Sequence, residues 1–472
     1  MTATAIDDDA SAHRRDTAFL GHPAGLGWLA FSELWERFSY YGMLALLPLY
    51  LVHRLLLPGH VEHIVGFGPF AAFVGLFYGG NTASPMVLKA HITGLYAAFV
   101  YLTPLGGGYL ADRYLGRTRA VTIGALLMAF GHFLMAFEAS FVGAVLCLVL
   151  GVGFFKGNIS SQVGSLYKTD DPRRANAFQI FLLSVQIAVI ISPLVCSTLG
   201  ELYSWDLGFG AAGIGMLIGL TIYLIGRPTL PKEAPRVDGV AQTPPLTKTD
   251  YTKIWVLIAL LPVMAIGIVG NQQISNAYPN WAETHFNLFF FGHLMPTGWL
   301  QTVDAIFSTA TMLMVIAFWR WWETRWTEPD ELMKITLGIA ISALAPLALA
   351  AASAIVASTH QKVGVGWAFL FETLNDIGFA NVLPVGLALY TRAAPKRVLG
   401  LVVGIYYLHL FAGNYFTGWV AGWLDIMPAA TFWLLHVAFM AASAVLLLLA
   451  RGLWGSILAP AYTDAEAEAA RA

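Results

Sequence analysis

A group of ionisable and aromatic residues interrupts the first long apolar stretch of this sequence. Residues 32–42 read Ser-Glu-Leu-Trp-Glu-Arg-Phe-Ser-Tyr-Tyr-Gly. Glu33, Glu36, Arg37, Tyr40 and Tyr41 follow an i, i+3, i+4, i+7, i+8 spacing, so a helix would place them on one face. Charged side chains at bilayer depth are costly unless they are paired or hydrated, which makes these residues candidates for function. The alternative is a structural ion pair that holds helices together.

The composition indicates that lipid is the main solvent of the chain. Of its 472 residues, 57% are hydrophobic and 11% are charged, with a mean hydropathy of +0.66, whereas soluble domains carry roughly 25% charged residues. The net charge of −2 leaves no basic excess for a nucleic-acid partner. Cys147 and Cys196 both lie in apolar runs, so we expect no disulfide framework. No cleaved leader is evident at the N-terminus.

The hydropathy pattern predicts an all-α, polytopic membrane protein with twelve transmembrane helices, since each span needs about twenty mostly apolar residues. The predicted spans lie near residues 27–52, 87–111, 118–137, 141–165, 176–199, 208–226, 253–277, 299–320, 333–357, 366–391, 397–423 and 430–452. We expect an N-terminal tail (1–26), a six-helix bundle (27–226), a linker (227–252), a second six-helix bundle (253–453) and a C-terminal tail (454–472).

The positions of the basic residues predict the orientation, because short cytoplasmic loops are enriched in Lys and Arg. Of the 26 such residues, 21 fall on one side of the proposed membrane, together with both termini. Arg54, Lys89 and Lys362 fall on the other side. Both termini are therefore expected in the cytoplasm, with the chain in a bacterial inner membrane. Six plus six helices about a cytoplasmic linker favour alternating access to a site at mid-membrane.

Residues 106–117, Gly-Gly-Gly-Tyr-Leu-Ala-Asp-Arg-Tyr-Leu-Gly-Arg, end the second predicted helix. Asp112, Arg113 and Arg117 are predicted to lie in the short loop before the third helix, where they can pair with neighbouring helix ends. The run resembles the loop motif of the major facilitator superfamily, which implies a role in conformational gating. A generic basic loop is the alternative.

Two further motifs resemble the proton-dependent oligopeptide transporter (POT) family. Residues 33–42 match its Glu-x-x-Glu-Arg-Phe-x-Tyr-Tyr-Gly signature, and residues 153–160 read Gly-Phe-Phe-Lys-Gly-Asn-Ile-Ser on the fourth helix. Residues 392–400 and 413–415 are also similar to the family. The resemblance implies that Lys156 faces the first-helix carboxylates and that Tyr96 lies in the substrate pocket.

Proton symport is then chemically reasonable. A carboxylate beside a buried cation stays ionised, and its protonation frees the cation to bind the carboxylate of a substrate. We expect Glu33 and Glu36 to exchange the proton, with Arg37 and Lys156 holding the negative end of the substrate. The tyrosines expected to shape the pocket are Tyr40, Tyr41 and Tyr96.

The second half departs from the family pattern. The family's seventh-helix glutamate is replaced by Asn271, its tenth-helix Gly-Glu by Gly378-Phe379, and its fifth-helix asparagine by Gln186. Bacterial members often carry two extra helices between the halves, which the short linker here cannot hold.

Other acidic residues remain in this half. Asp304 stands where the family commonly has asparagine on the eighth helix. Glu372 lies two turns and Asp376 one turn before Phe379, on the same helical face. They are either a displaced cation-binding site or residues near a helix end or in a solvated cavity. We include Gln186, Asn271, Asp304 and Asp376 among the expected substrate-binding residues.

The resulting prediction is a proton-coupled symporter that imports di- and tripeptides, not an enzyme. The alternatives are a transporter of another carboxylate-bearing solute and a membrane sensor on the same fold. We expect protons, a peptide-like substrate and the bilayer as partners, a monomeric state, no cofactor and no metal site, since His60 and His63 with Glu62 are weak support for a metal.

Overall fold

The computed structural model describes residues 16–80, 84–168, 171, 173–231, 246–290, 292–395 and 398–458. The predicted tails and the linker therefore lie largely outside the described residues. In the first half, six long helices follow the apolar segments of the sequence. They are α1 (Ala24–Tyr50), α2 (Pro85–Leu110), α3 (Arg117–Leu134), α4 (Phe141–Ser165), α5 (Arg173–Leu202) and α6 (Trp205–Gly226).

The second half contributes six more helical units, two of which are interrupted. These are α7 (Lys248–Gly267, Val269–Gln272 and Ala277–His285), α8 (Trp299–Glu323), α9 (Glu331–Ser342 and Leu344–Thr359), α10 (Gly366–Ala393), α11 (Leu399–Ala421) and α12 (Ala429–Leu458). The described residues thus contain the twelve long helical units that the hydropathy pattern predicts.

Nine helices of the described chain are long and apolar enough to cross a membrane. The units α1, α3 and α10 fall outside that set, although their lengths of 27, 18 and 28 residues are similar. Each of the three carries charged residues within or at the start of the helix, which lowers its mean hydropathy. In α1 and α10 these charged residues include the buried glutamates, aspartate and arginine of the interior.

Packing divides the helices into two bundles. In the first half, α1 packs on α5 and α6, and α4 packs on α2 and α3. In the second half, α10 packs on α8 and α9, and α12 packs on α7 and α9. The main contacts between the bundles join α2 to α11 and α5 to α8. The buried apolar side chains form one large cluster in the first half and two in the second.

The prediction of a continuous seventh helix over 253–277 is wrong. The α7 helix is interrupted after Gly267 and again at Asn276, where the backbone adopts φ −132° and ψ −86°, and it continues to His285. Lys89 Nζ of α2 donates to the Asn276 carbonyl at 3.1 Å, and Asn276 Nδ2 donates to the Ala90 carbonyl at 2.9 Å. Backbone groups that a break exposes at membrane depth need such partners. Lys89 is therefore buried inside the protein and does not lie in a loop.

Short elements lie outside the twelve helices. The helix Phe67–Phe77 follows α1, and the strands β1 (Phe289–Phe290) and β2 (His293–Leu294) form a hairpin between α7 and α8, with Phe289 opposite Leu294. The apolar pattern of the sequence did not separate these elements from the loops.

Several polar contacts between the two bundles lie on one side of the protein. We call the side where α1 begins and α12 ends the terminal face, and the other side the opposite face. At the opposite face, His53 Nε2 lies 2.7 Å from Glu283 Oε2, which joins the end of α1 to the end of α7. The Glu201 carboxylate of α5 accepts hydrogen bonds from the backbone N–H groups of Thr297 and Gly298, at 2.6 and 2.8 Å. These contacts hold the bundles together at the opposite face.

Candidate functional site

The charged residues of α1 form a buried ion-paired group. Arg37 Nε lies 2.5 Å from Glu36 Oε2 and 3.1 Å from Glu33 Oε1, and a second Arg37 nitrogen donates to Glu36 Oε1 at 2.9 Å. The exposed fractions of Glu33, Glu36 and Arg37 are 5%, 0% and 3%. Glu33 Oε2 has no hydrogen-bond partner. The two carboxylates therefore share one guanidinium inside the bundle.

Lys156 of α4 lies near this group without touching it. It interacts electrostatically with Glu36 and Glu33, but within the described residues it forms no direct ion pair with a carboxylate. Its ammonium lies 4.6 Å from the centre of the Tyr101 ring, a cation–π distance. Lys156 thus keeps donors that an anion could use. Tyr101 was not among the predicted residues; the only sign of it in the sequence is a tyrosine within an apolar helix.

The predicted pocket tyrosines surround the arginine. The Arg37 guanidinium lies 5.2 Å from the centre of the Tyr40 ring, and the rings of Tyr40 and Tyr41 meet edge to face at 5.0 Å. Tyr96 of α2 is buried and interacts electrostatically with Tyr40 and with Glu36. Aromatic groups from two helices therefore form one side of the charged group.

Two of the predicted residues lie at the junction between the bundles. Gln186 Nε2 of α5 donates to Thr309 Oγ1 of α8 at 3.2 Å, so it joins the two halves. Asn271 lies in the short middle segment of α7, where its side-chain oxygen accepts a hydrogen bond from Gln272 at 2.9 Å. Neither side chain contacts the ion-paired group of α1.

The acidic residues of the second half converge on one point. Carboxylate oxygens of Asp304, Glu372 and Asp376 all lie within 4.8 Å of one another. Glu372 and Asp376 are 0% and 2% exposed, and Asp304 is partly exposed. The two α10 residues lie within the helix and are buried, so they do not sit at a helix end. We call these three residues the carboxylate triad.

Tyr41 interacts with both charged groups. Its side chain interacts electrostatically with Arg37 and Glu36 of α1 and with Asp304 of α8. Tyr41 is also partly exposed, like Lys156 and Asp304. One tyrosine of α1 therefore senses the charges of both the ion-paired group and the carboxylate triad.

The predicted gating residues lie on a helix rather than in a loop. A π-helical turn, Ala111–Leu115, extends α2, and only Gly116, with φ +78°, separates it from α3. Arg117 Nε lies 3.5 Å from Asp112 Oδ1 at the exposed terminal face, and Arg113 lies over the Tyr114 ring. The motif therefore builds a tight helix-to-helix corner.

The histidines considered for a metal site and the two cysteines have other surroundings. His60 Nδ1 lies 2.8 Å from Glu138, which also binds Arg54. Cys147 and Cys196 are free thiols.

Two six-helix bundles around buried, partly paired charges define a membrane transporter of the two-bundle, major facilitator type. The chain belongs to the POT family, whose sequence model matches residues 118–244 and 237–434, more than half of its length. Members of this family are transporters, so the expectation of a transporter rather than an enzyme is confirmed.

Relatives cover most of the chain. An uncharacterized transporter, YclF, from Bacillus subtilis is 28% identical over 87% of this chain and 90% of its own length. The peptide transporter YePEPT from Yersinia enterocolitica is 28% identical over 91% of this chain and 94% of its own. A di-/tripeptide transporter from Lactococcus lactis is 27% identical over 84% of this chain and 88% of its own.

Solved structures share the fold. The peptide transporter POT in complex with sulfate superimposes with a TM-score of 0.81 at 24% identity, covering 96% of this chain and 99% of that chain. A POT family transporter in complex with 5-aminolevulinic acid has a TM-score of 0.75 at 20% identity, covering 94% and 99%. The all-α, two-bundle fold predicted from the sequence is confirmed by this likeness.

Proposed function

We propose that this chain is a proton-coupled symporter that imports di- and tripeptides by alternating access. The observation that supports it most is the buried group in which Arg37 is held by Glu36 and Glu33. A buried arginine with two carboxylate partners is released from one of them when that carboxylate takes up a proton. The peptide transporters among the relatives support the choice of substrate class.

In the proposed cycle, proton uptake by the α1 carboxylates releases the arginine. With both carboxylates ionised, Arg37 is neutralised by its own neighbours and binds an incoming anion weakly. When Glu36 or Glu33 takes up a proton, the remaining carboxylate balances only one of the two positive charges of Arg37 and Lys156. Arg37 and Lys156 then hold the carboxylate of the peptide, so proton and substrate bind cooperatively.

The second half is proposed to hold the amino end of the peptide. An ammonium group can bind the carboxylate triad, with Asp304 and Asp376 as the substrate-binding residues. The two charged groups of the site then match the two charged ends of a zwitterion. Tyr40, Tyr41 and Tyr96 would line the space between those ends, and Gln186 and Asn271 would contact the peptide backbone.

The state described by the structure is proposed to open toward the cytoplasm. By the distribution of basic residues, the terminal face is the cytoplasmic face of a bacterial inner membrane. The contacts of Glu283 and Glu201 join the bundles at the opposite face. Opening at that face requires these contacts to break, while the corner formed by Asp112, Arg113 and Arg117 moves with the first bundle. The transporter is proposed to work as a monomer in the bilayer.

The test is uptake of labelled di-alanine into proteoliposomes under an imposed inward proton gradient, with and without an uncoupler. We expect accumulation above equilibrium that the uncoupler abolishes, and none in protein-free liposomes. Binding of di-alanine without net flux would support a sensor on the same fold. No binding by folded protein would refute the peptide proposal.

One observation favours a second substrate class. The homologous structure with 5-aminolevulinic acid holds a molecule that has an amino group and a carboxyl group but no peptide bond. The two charged groups of the present site would fit any solute with these two ends. Competition of labelled di-alanine with 5-aminolevulinic acid, and with N-acetyl-di-alanine as the matched ligand without an amino group, distinguishes the two classes.

A further inference from the structure

The carboxylate triad brings three negative groups together without a cation. Its carboxylate oxygens lie within 4.8 Å of one another. Within the described residues, no Lys, Arg or His forms an ion pair with Asp304, Glu372 or Asp376. The group of α1, by contrast, pairs its carboxylates with Arg37.

Buried polar atoms around the triad also lack partners. Within the described residues, both carboxylate oxygens of Glu372 and one of Asp376 meet no partner at full hydrogen-bond geometry, although the Tyr278 hydroxyl and the Asp304 carboxyl face Glu372 as hydrogen-bonding groups. Tyr278, on the last segment of α7, is 1% exposed and interacts electrostatically with Glu372 and Asp304. The side-chain oxygen of Asn375 is likewise buried without a partner. Buried groups of this kind are normally satisfied, so the described residues leave hydrogen-bonding capacity at the triad unused.

The ionisable groups that face the triad from neighbouring helices are Tyr278 of α7 and Tyr41 of α1. Both are neutral in the ordinary pH range. The charged group of α5 near the start of α8 is Glu201, whose carboxylate instead binds the backbone N–H groups of Thr297 and Gly298. These neighbours therefore supply no positive charge that would balance the triad.

We propose that Asp304, Glu372 and Asp376 form a proton-sharing site, in which the three carboxyl groups hold protons in common while the site is empty. Like charges at this separation in a poorly hydrated region cannot all stay ionised, and the shared protons belong to the group rather than to one residue. A protonated carboxyl is also a donor, which gives the unpartnered carboxylate oxygens and the Tyr278 hydroxyl a hydrogen-bond network.

The effect of pH on substrate binding at the triad rests on the proposed function. An ammonium that enters the triad replaces shared protons, so amino end and protons compete for the same carboxyls. Acidification therefore weakens binding of the amino end at the triad. At Glu33 and Glu36, acidification strengthens binding of the carboxylate end. The two halves thus respond to pH with opposite signs.

The first experiment needs no substrate. Infrared spectra of the full-length protein at neutral pH report the carbonyl stretch of protonated carboxyl groups. We expect this band in the ligand-free protein and expect it to shrink in Asp376→Asn and in Asp304→Asn. The matched control is Asp112→Asn, an exposed carboxylate that is expected to leave the band unchanged. Two independent triad variants keep the test informative if one of them fails to fold.

A spectrum that does not differ between the unmodified protein and either folded triad variant would overturn the proposal. So would a spectrum of the ligand-free protein in choline chloride that lacks this band, because the three carboxyl groups would then be ionised while the site is empty.

The second experiment measures proton exchange directly. Calorimetric titration in buffers of different ionisation enthalpy gives the number of protons released per ligand bound. We expect mildly acidic conditions to give more proton release with di-alanine than with N-acetyl-di-alanine, and expect the difference to vanish in Asp304→Asn. Equal proton counts for both ligands would refute the exchange while leaving peptide transport standing. Failure of both ligands to bind would refute the proposed function, and the infrared result would still decide proton sharing.

Discussion

Replacing Glu36 by glutamine is expected to uncouple transport from the proton gradient. Glu36 supplies two of the contacts that hold Arg37, at 2.5 and 2.9 Å, and is fully buried. Removing one partner of a buried ion pair costs about 3–5 kcal/mol. The same amount favours release of Arg37 in the variant, which corresponds to a shift of about 150- to 5,000-fold in its availability for a substrate carboxylate.

The variant should therefore bind substrate without first taking up a proton at Glu36. We expect uphill uptake driven by a proton gradient to fall to the level of uncoupler-treated vesicles. Counterflow exchange, in which labelled substrate enters against unlabelled substrate inside, should persist because it requires no net proton movement. Substrate affinity should also lose most of its increase on acidification.

Glu33→Gln is the matched control. Glu33 makes one contact to Arg37, at 3.1 Å, and its second oxygen is unpartnered. A single hydrogen bond to a charged group contributes about 1.5–3 kcal/mol, so the shift should be smaller, about 10- to 150-fold. Intact uphill uptake by folded Glu36→Gln protein, or a larger defect in Glu33→Gln, would refute the reasoning from these contacts.

Two further predictions concern contacts between the bundles. The hydrogen bond that His53 makes to the Glu283 carboxylate raises the pKa of His53. The charged pair therefore stabilises closure of the opposite face at low pH, and this stabilisation is lost as the pH rises through the raised pKa. Because both groups are partly exposed, the pair contributes about 0–1 kcal/mol to closure of the opposite face. The mean distance between spin labels at the ends of α1 and α7 should therefore increase with pH. His53→Gln should abolish this pH dependence. A Cβ atom at Gly94 of α2 would overlap the backbone of Gly418 in α11, whereas one at Gly106 meets nothing within 4 Å. Gly94→Leu should therefore lower uptake more than 10-fold at equal protein level, and an equal defect in Gly106→Leu would contradict this explanation.

Much of the fold could be predicted because lipid imposes a simple rule on sequence. Each span must be apolar over about twenty residues, so spans such as α4 and α12 were located within a few positions of their observed ends. The interruption of α7 could not be predicted in this way. It depends on Lys89 and Asn276, which are 187 residues apart in sequence and meet only in the folded protein.

The ion-paired group of α1 was predictable for a related reason. Its members lie on one helix, so their mutual geometry follows from helical spacing alone. The carboxylate triad draws on α8 and α10, and Tyr278, which interacts electrostatically with Glu372 and Asp304, comes from α7. Sequence spacing places Glu372 and Asp376 on one face but does not give their distance from Asp304. The sequence therefore left two readings open for these residues, and packing between helices decides the arrangement.

Protonation changes the charge of the two groups in ways that suit opposite ends of a substrate, which gives a reason for placing them in different halves. In α1, two carboxylates face Arg37, with Lys156 nearby, so the group is close to neutral and gains positive charge when protonated. The triad has no cation and gains negative charge when it loses protons. A zwitterionic substrate is bound best when the first group has gained a proton and the second has released one. Tyr41 interacts electrostatically with Arg37 and Glu36 of the first group and with Asp304 of the second, so a change of charge in one group is felt by a residue that also senses the other.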